Sequence, residues 1–180
     1  MDAVAAIDRQ LDTQTLGTER PCENLAAQSE ALSTVKNALD RLRPTLKQTD
    51  QDLDRLSSAN LSMEYFEQLS NSNSKLHKEW DRVRYRYAQR QELWSGSKKL
   101  ETDLMLRKEQ IEVWLRSIRN DSANINVTNE DIENKGKLAA ELTTFCKAFM
   151  TKTSAQEAVA VQAEVDSLLR RWRSILAVLT

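Results

Sequence analysis

Residues 63–119 read MEYFEQLSNSNSKLHKEWDRVRYRYAQRQELWSGSKKLETDLMLRKEQIEVWLRSIR, a long stretch without proline and with a single glycine, Gly96. Large side chains recur in steps of three and four through Phe66, Leu69, Asn73, Leu76, Trp80, Val83, Tyr87, Arg90 and Trp94. The stripe resumes at Leu100, Leu104, Ile111, Trp114 and Ile118, with one slip of register between Trp94 and Leu100. Such spacing keeps apolar groups on one face of a helix. Gly96 lies at the slip, and one glycine weakens a helix by only about 1 kcal/mol relative to alanine. The expectation is one continuous helix from Met63 to Arg119, roughly 85 Å long at 1.5 Å per residue, whose halves enter two successive bundles.

The flanking sequence carries the same signal. Leu25, Leu32, Val35, Leu39, Leu42, Leu46, Leu53 and Leu56 fall on the a and d positions of one heptad register, the pattern of a bundle helix. Pro44 stands inside that stripe and is expected to bend the helix or remove one backbone hydrogen bond. Residues 57–62 (SSANLS) and 151–155 (TKTSA) read as turns, and 120–129 (NDSANINVTN) as a polar loop ending in an N-cap at Thr128 or Asn129. Two further stripes follow, Ile132, Leu138, Leu142, Phe145 and Phe149, then Val161, Val165, Leu168, Trp172, Ile175 and Leu179. The second is still running where the sequence stops, and the N-terminal piece with Val4, Ile7 and Leu11 is short beside its partners, so both ends read as truncated.

Composition agrees. Three glycines and two prolines in 180 residues are too few for the turns of a sheet protein or the loops of a catalytic α/β fold. The formal charge is −1, with 26 basic and 27 acidic side chains, so no global field recruits nucleic acid. The distribution is uneven: residues 75–108 carry 10 basic and 5 acidic side chains, whereas residues 1–74 carry 7 and 12. Cys22 and Cys146 show no metal-ligand spacing and read as reduced thiols of a cytosolic protein. No apolar run reaches the ~20 residues of a membrane span, and no secretory signal opens the sequence.

An internal repeat accompanies the stripes. Leu76-x-x-x-Trp80-x-x-Val83 corresponds to Leu168-x-x-x-Trp172-x-x-Ile175, each tryptophan with arginine neighbours, and a further Trp-Leu pair stands at Trp114-Leu115. A tryptophan in the first and third helices of a unit of about a hundred residues resembles spectrin repeats, along the whole chain. The stretches 23–32 (ENLAAQSEAL) and 79–91 (EWDRVRYRYAQRQ) resemble the central rod of the dystrophin and utrophin family. One departure is that Trp114 and Trp172 stand 58 positions apart, closer than that family's repeat, which implies second and third helices each shortened by a heptad.

The resemblance implies an all-α fold of tandem antiparallel three-helix-bundle repeats sharing a long helix. Residues 1–95 would form the first repeat, with a truncated first helix, and residues 96–180 a shortened second repeat. The expected structural core comprises Leu32, Val35, Leu39, Trp80, Val83, Trp114, Leu142 and Trp172. The implied function is a non-enzymatic, elastic spacer between actin cytoskeleton and a membrane complex, cytoplasmic and peripheral to the plasma membrane, as at the muscle sarcolemma. A nesprin-like rod at the nuclear envelope is an alternative that would require a transmembrane tail.

Chemistry-bearing motifs are few. His77 is the sole histidine, so neither a Ser-His-Asp triad nor a multi-histidine metal site can be built, and phosphate-binding glycine motifs are missing. No catalytic residue, cofactor, metal or small-molecule substrate is expected. The remaining candidate is a basic face of Arg82, Arg86 and Arg90, spaced four apart, with Lys98 and Lys99 beyond Trp94. It would dock F-actin, another cytoskeletal or signalling protein, or anionic lipid, but not nucleic acid. The structural alternative is a solvated face neutralised by acids of neighbouring helices.

Overall fold

A computed structural model describes residues 2–13, 20–58, 62–120 and 127–179. The described residues are all-α, with helices α1 (Asp2–Thr13), α2 (Leu25–Ser57), α3 (Met63–Asn120), α4 (Asn129–Met150) and α5 (Ala155–Leu179) and no strand among them. The expected turn at 57–62 and loop at 120–129 lie partly outside the described residues, as does the side chain of Leu179. The helix expected from Met63 to Arg119 is observed as a single 58-residue helix. Gly96 sits within it, and a Cβ built there would meet nothing within 4 Å. Pro44 lies inside α2, which continues to Ser57. No helix among the described residues is long and apolar enough to cross a membrane.

The chain divides into two compact units: Met1–Leu16 with Ala26–Trp94, and Gly17–Leu25 with Ser95–Thr180. In the first, Val4, Ile7 and Leu11 of α1 meet Val35 and Leu39 of α2 and Trp80 and Val83 of α3 in one cluster. Val35, Val83 and Leu11 are fully buried. Among the described residues α1 supplies only 12 residues against 33 in α2. Cover on that side of the bundle ends early, so the α2 stripe is buried at Val35 and Leu39, partly buried at Leu46 and Leu53, and exposed at Leu56. Leu69 of α3 is likewise exposed, although it stands on the stripe. Leu32, also expected in the core, is buried.

In the second unit the core joins Leu104, Ile111 and Leu115 of α3 to Ala139, Leu142, Cys146 and Phe149 of α4 and Val165, Leu168 and Leu169 of α5. Trp114 and Trp172, both expected in the core, pack against it while partly buried. Trp114 is only partly buried and packs against the cluster from its margin, while Leu115 fills the interior with Ile111 and Ile118. Steps of 3–4 and 4–3 both complete a heptad, and the helix turns the smaller leucine inward where α4 and α5 converge. Trp172 also packs from the margin, and its buried Nε1 has no hydrogen-bond partner among the described residues.

Local chemistry fixes the helix ends. Thr128 caps α4: its hydroxyl oxygen accepts from the Asp131 amide at 3.1 Å, and the Asp131 carboxylate accepts from the Thr128 amide at 3.1 Å. Ser154 caps α5, its hydroxyl oxygen accepting from the Glu157 amide at 3.2 Å. Cys22 belongs to this second core, and its amide donates to the Lys152 carbonyl at 2.9 Å in the α4–α5 turn. Asn24, which follows, has φ 51°, a left-handed conformation that asparagine tolerates better than most residues.

Candidate functional site on the basic face of α3

Three arginines spaced four apart must share a face of any helix, and α3 holds Arg82, Arg86 and Arg90 that way. The sequence of α1, DAVAAIDRQLDT, places Asp8 and Asp12 four apart beside the buried Ile7 and Leu11. Apolar docking of α1 therefore carries both carboxylates to the arginine face. Arg82 Nη2 lies 2.7 Å from Asp8 Oδ2 and 2.7 Å from Glu79 Oε2 on its own helix. Arg86 spans the two acids, with one guanidinium nitrogen on Asp8 and the other on Asp12.

These pairs reshape the local electrostatics. The hydrogen bond from Arg86 holds the Asp12 carboxyl below its ordinary range, with the positive charges of Arg86, Arg90 and Arg82 adding to the effect. Reciprocally, the Asp12 bond raises the Arg86 pKa. Arg90 is partly buried, and desolvation followed by repulsion from Arg86 lowers its pKa, against the pull of Asp12 and Asp8. Lys98 and Lys99 belong to the second unit. Lys98 Nζ lies 2.5 Å from Glu101 Oε2, and Lys99 is exposed.

A second polar cluster links α2 to α3 and was not signalled by any motif. Asp50 Oδ1 accepts from Asn73 Nδ2 at 2.8 Å and lies 2.6 Å from His77 Nε2. These bonds, Asn73 first, lower the Asp50 pKa. The sole histidine is thereby a bridge between two helices. The one available hint was Asn73 standing on the stripe between Leu69 and Leu76, where a polar group needs a partner. Among the described residues no group of three or more His, Cys, Asp or Glu side chains could hold a metal ion. Both thiols are buried, and desolvation pushes the pKa of Cys22 and Cys146 up.

The molecule so described is an all-α protein of two units, each with side chains from three helices around its own apolar core. It matches no protein-family model, no curated protein and no solved structure.

Proposed function

We propose that the chain is a non-enzymatic spacer: two tandem spectrin-like repeats of a dystrophin-like rod, working in the cytoplasm between cytoskeletal and membrane-associated elements. The observation that carries this reading is that α3, one uninterrupted helix, supplies Trp80 and Val83 to one core and Leu104, Ile111 and Leu115 to the other. A shared helix passes tension from one apolar core to the next, and stacked units of this kind unfold separately under load. Side chains that could recruit a partner electrostatically, Arg82 and Arg86, are instead engaged by Asp8 and Asp12. That pairing favours the spacer over a binding role for the basic face.

Pulling single molecules from their two ends tests the proposal. Two unfolding events are expected, each releasing a contour length of about 300 Å for a unit of this size. A chain that extends without resistance, or opens in a single event, would count against a load-bearing spacer. Cosedimentation with F-actin and flotation with phosphatidylserine vesicles at low and high salt address the basic face. Salt-sensitive binding lost on charge reversal at Arg82 and Arg86 would favour the docking role instead.

A further inference from the structure

We infer that the groove between the last turns of α3 and the C-terminal half of α5 is a docking surface for an acidic amphipathic helix of a partner protein. The groove lies within the second unit, has a volume of about 850 Å³, and is floored by Leu115 and Ile118 of α3 and Ile175 of α5. Arg116 and Arg119 rise from one wall, Arg170 and Arg171 from the other, and among the described residues no carboxylate lines it. All four arginines are exposed.

The local bonds of Arg116, Arg170 and Arg171 leave capacity to spare. Arg116 meets Glu112 at 2.9 Å, one turn back on its own helix. Arg170 Nε donates to the Asp166 carbonyl, at 3.3 Å, and to no carboxylate among the described residues. Arg171 has no ion pair among the described residues, unlike Arg82, Arg86 and Arg107 of α3, whose carboxylate partners come from neighbouring helices. A guanidinium presents a planar fork of donors matched to a carboxylate, so Arg116, Arg170 and Arg171 around an apolar floor specify an occupant with apolar groups down its centre and acids along its edges.

Geometry and charge favour a peptide over a bilayer. From Ser167 to Ile175 the α5 wall extends about 12 Å, two turns of an α-helix, which suits a helix laying apolar residues three and four apart into the groove. Residues 109–180 as a whole carry 9 basic and 10 acidic side chains. The groove's arginines therefore stand in a stretch without an excess of positive charge that would draw it to an anionic membrane.

The test uses the full chain and a fluorescein-labelled helical peptide of about 15 residues, with leucines on one stripe and glutamates on both flanks. A peptide of the same composition with its leucines scattered off the stripe is the comparator. Saturable anisotropy with the striped peptide only, weakened about tenfold by Arg171→Glu with unchanged circular dichroism, is the expected result. Arg171→Gln should show a smaller loss in the same direction, and Lys137→Glu, on an exposed face of α4, none. The inference is overturned if the striped peptide does not saturate, if Arg171→Glu binds it equally well, or if only phosphatidylserine vesicles bind and the peptide does not.

Discussion

Replacing Ile111 by alanine is the sharpest probe of which α3 side chains hold the second core. Ile111 is fully buried among Leu104, Leu115, Leu142 and Val165, whereas Val113, two positions on, is exposed. Burying an isoleucine side chain contributes about 1.5–3 kcal/mol. The cavity left between α3, α4 and α5 adds to that loss, so the total should be about 3 kcal/mol, within the range for isoleucine-to-alanine changes in well-packed cores. At about 1.4 kcal/mol per factor of ten, amide exchange in α4 and α5 should accelerate about 100-fold if those amides exchange through opening of this unit. Exchange measured by mass spectrometry resolves the two units in one experiment. The α1 and α2 amides, whose core contains Val35, Leu39 and Trp80 and not Ile111, should hardly change. Val113→Ala should leave both units protected. If Val113→Ala produced the larger loss, or if Ile111→Ala left α4 and α5 untouched, the burial assigned along this part of α3 would be wrong.

Three further outcomes follow from the ends and faces of the helices. Because the Asp12 pKa is lowered in the folded state, its stabilising contribution is fully present above the ordinary carboxylate value of about 3.9. It disappears as pH falls through the lower folded value, so an acid titration followed by NMR should show α1 amides losing protection in that window, and Asp12→Asn should abolish the dependence on this group. Gly96→Ala and Gly136→Ala, where an added Cβ meets nothing within 4 Å, should each stabilise the chain by about 0.8–1 kcal/mol in urea denaturation. Thr128→Ala removes the capping box of α4 and should destabilise the second unit by about 1 kcal/mol, read as faster exchange in the first turns of that helix.

The helical skeleton was largely legible in the sequence because a 3–4 repeat and a dearth of glycine and proline act over short distances. The stripe from Leu25 to Leu56 became α2 (Leu25–Ser57), and the helix expected over 63–119 ends one residue later, at Asn120. What could not be read is where neighbours come from. Trp114 and Leu115 are adjacent and both apolar, and only the positions of α4 and α5 decide that Leu115 is buried and Trp114 marginal. Leu56 and Leu69 fit the heptad as well as Val35 does, yet they are exposed where α1 no longer covers the bundle. On the basic face, Arg82 and Arg86 find their acids in a helix more than seventy residues earlier. The i,i+4 pair Asp8 and Asp12 in the stretch DAVAAIDRQLDT was a visible signal of that complementarity. Cys22 gave no such clue: it joins the core of the second unit because its short segment hydrogen-bonds to the α4–α5 turn.

The continuity of α3 through residues 94–99 is best measured directly, by NMR secondary chemical shifts and amide exchange across Trp94–Lys99 in the full chain. Helical Cα shifts at Ser95, Gly96 and Ser97, with protected amides comparable to those of the flanking turns, are the predicted result. Random-coil shifts and freely exchanging amides there would mean two separate helices joined by a linker, and the shared-helix account of the two cores would fail.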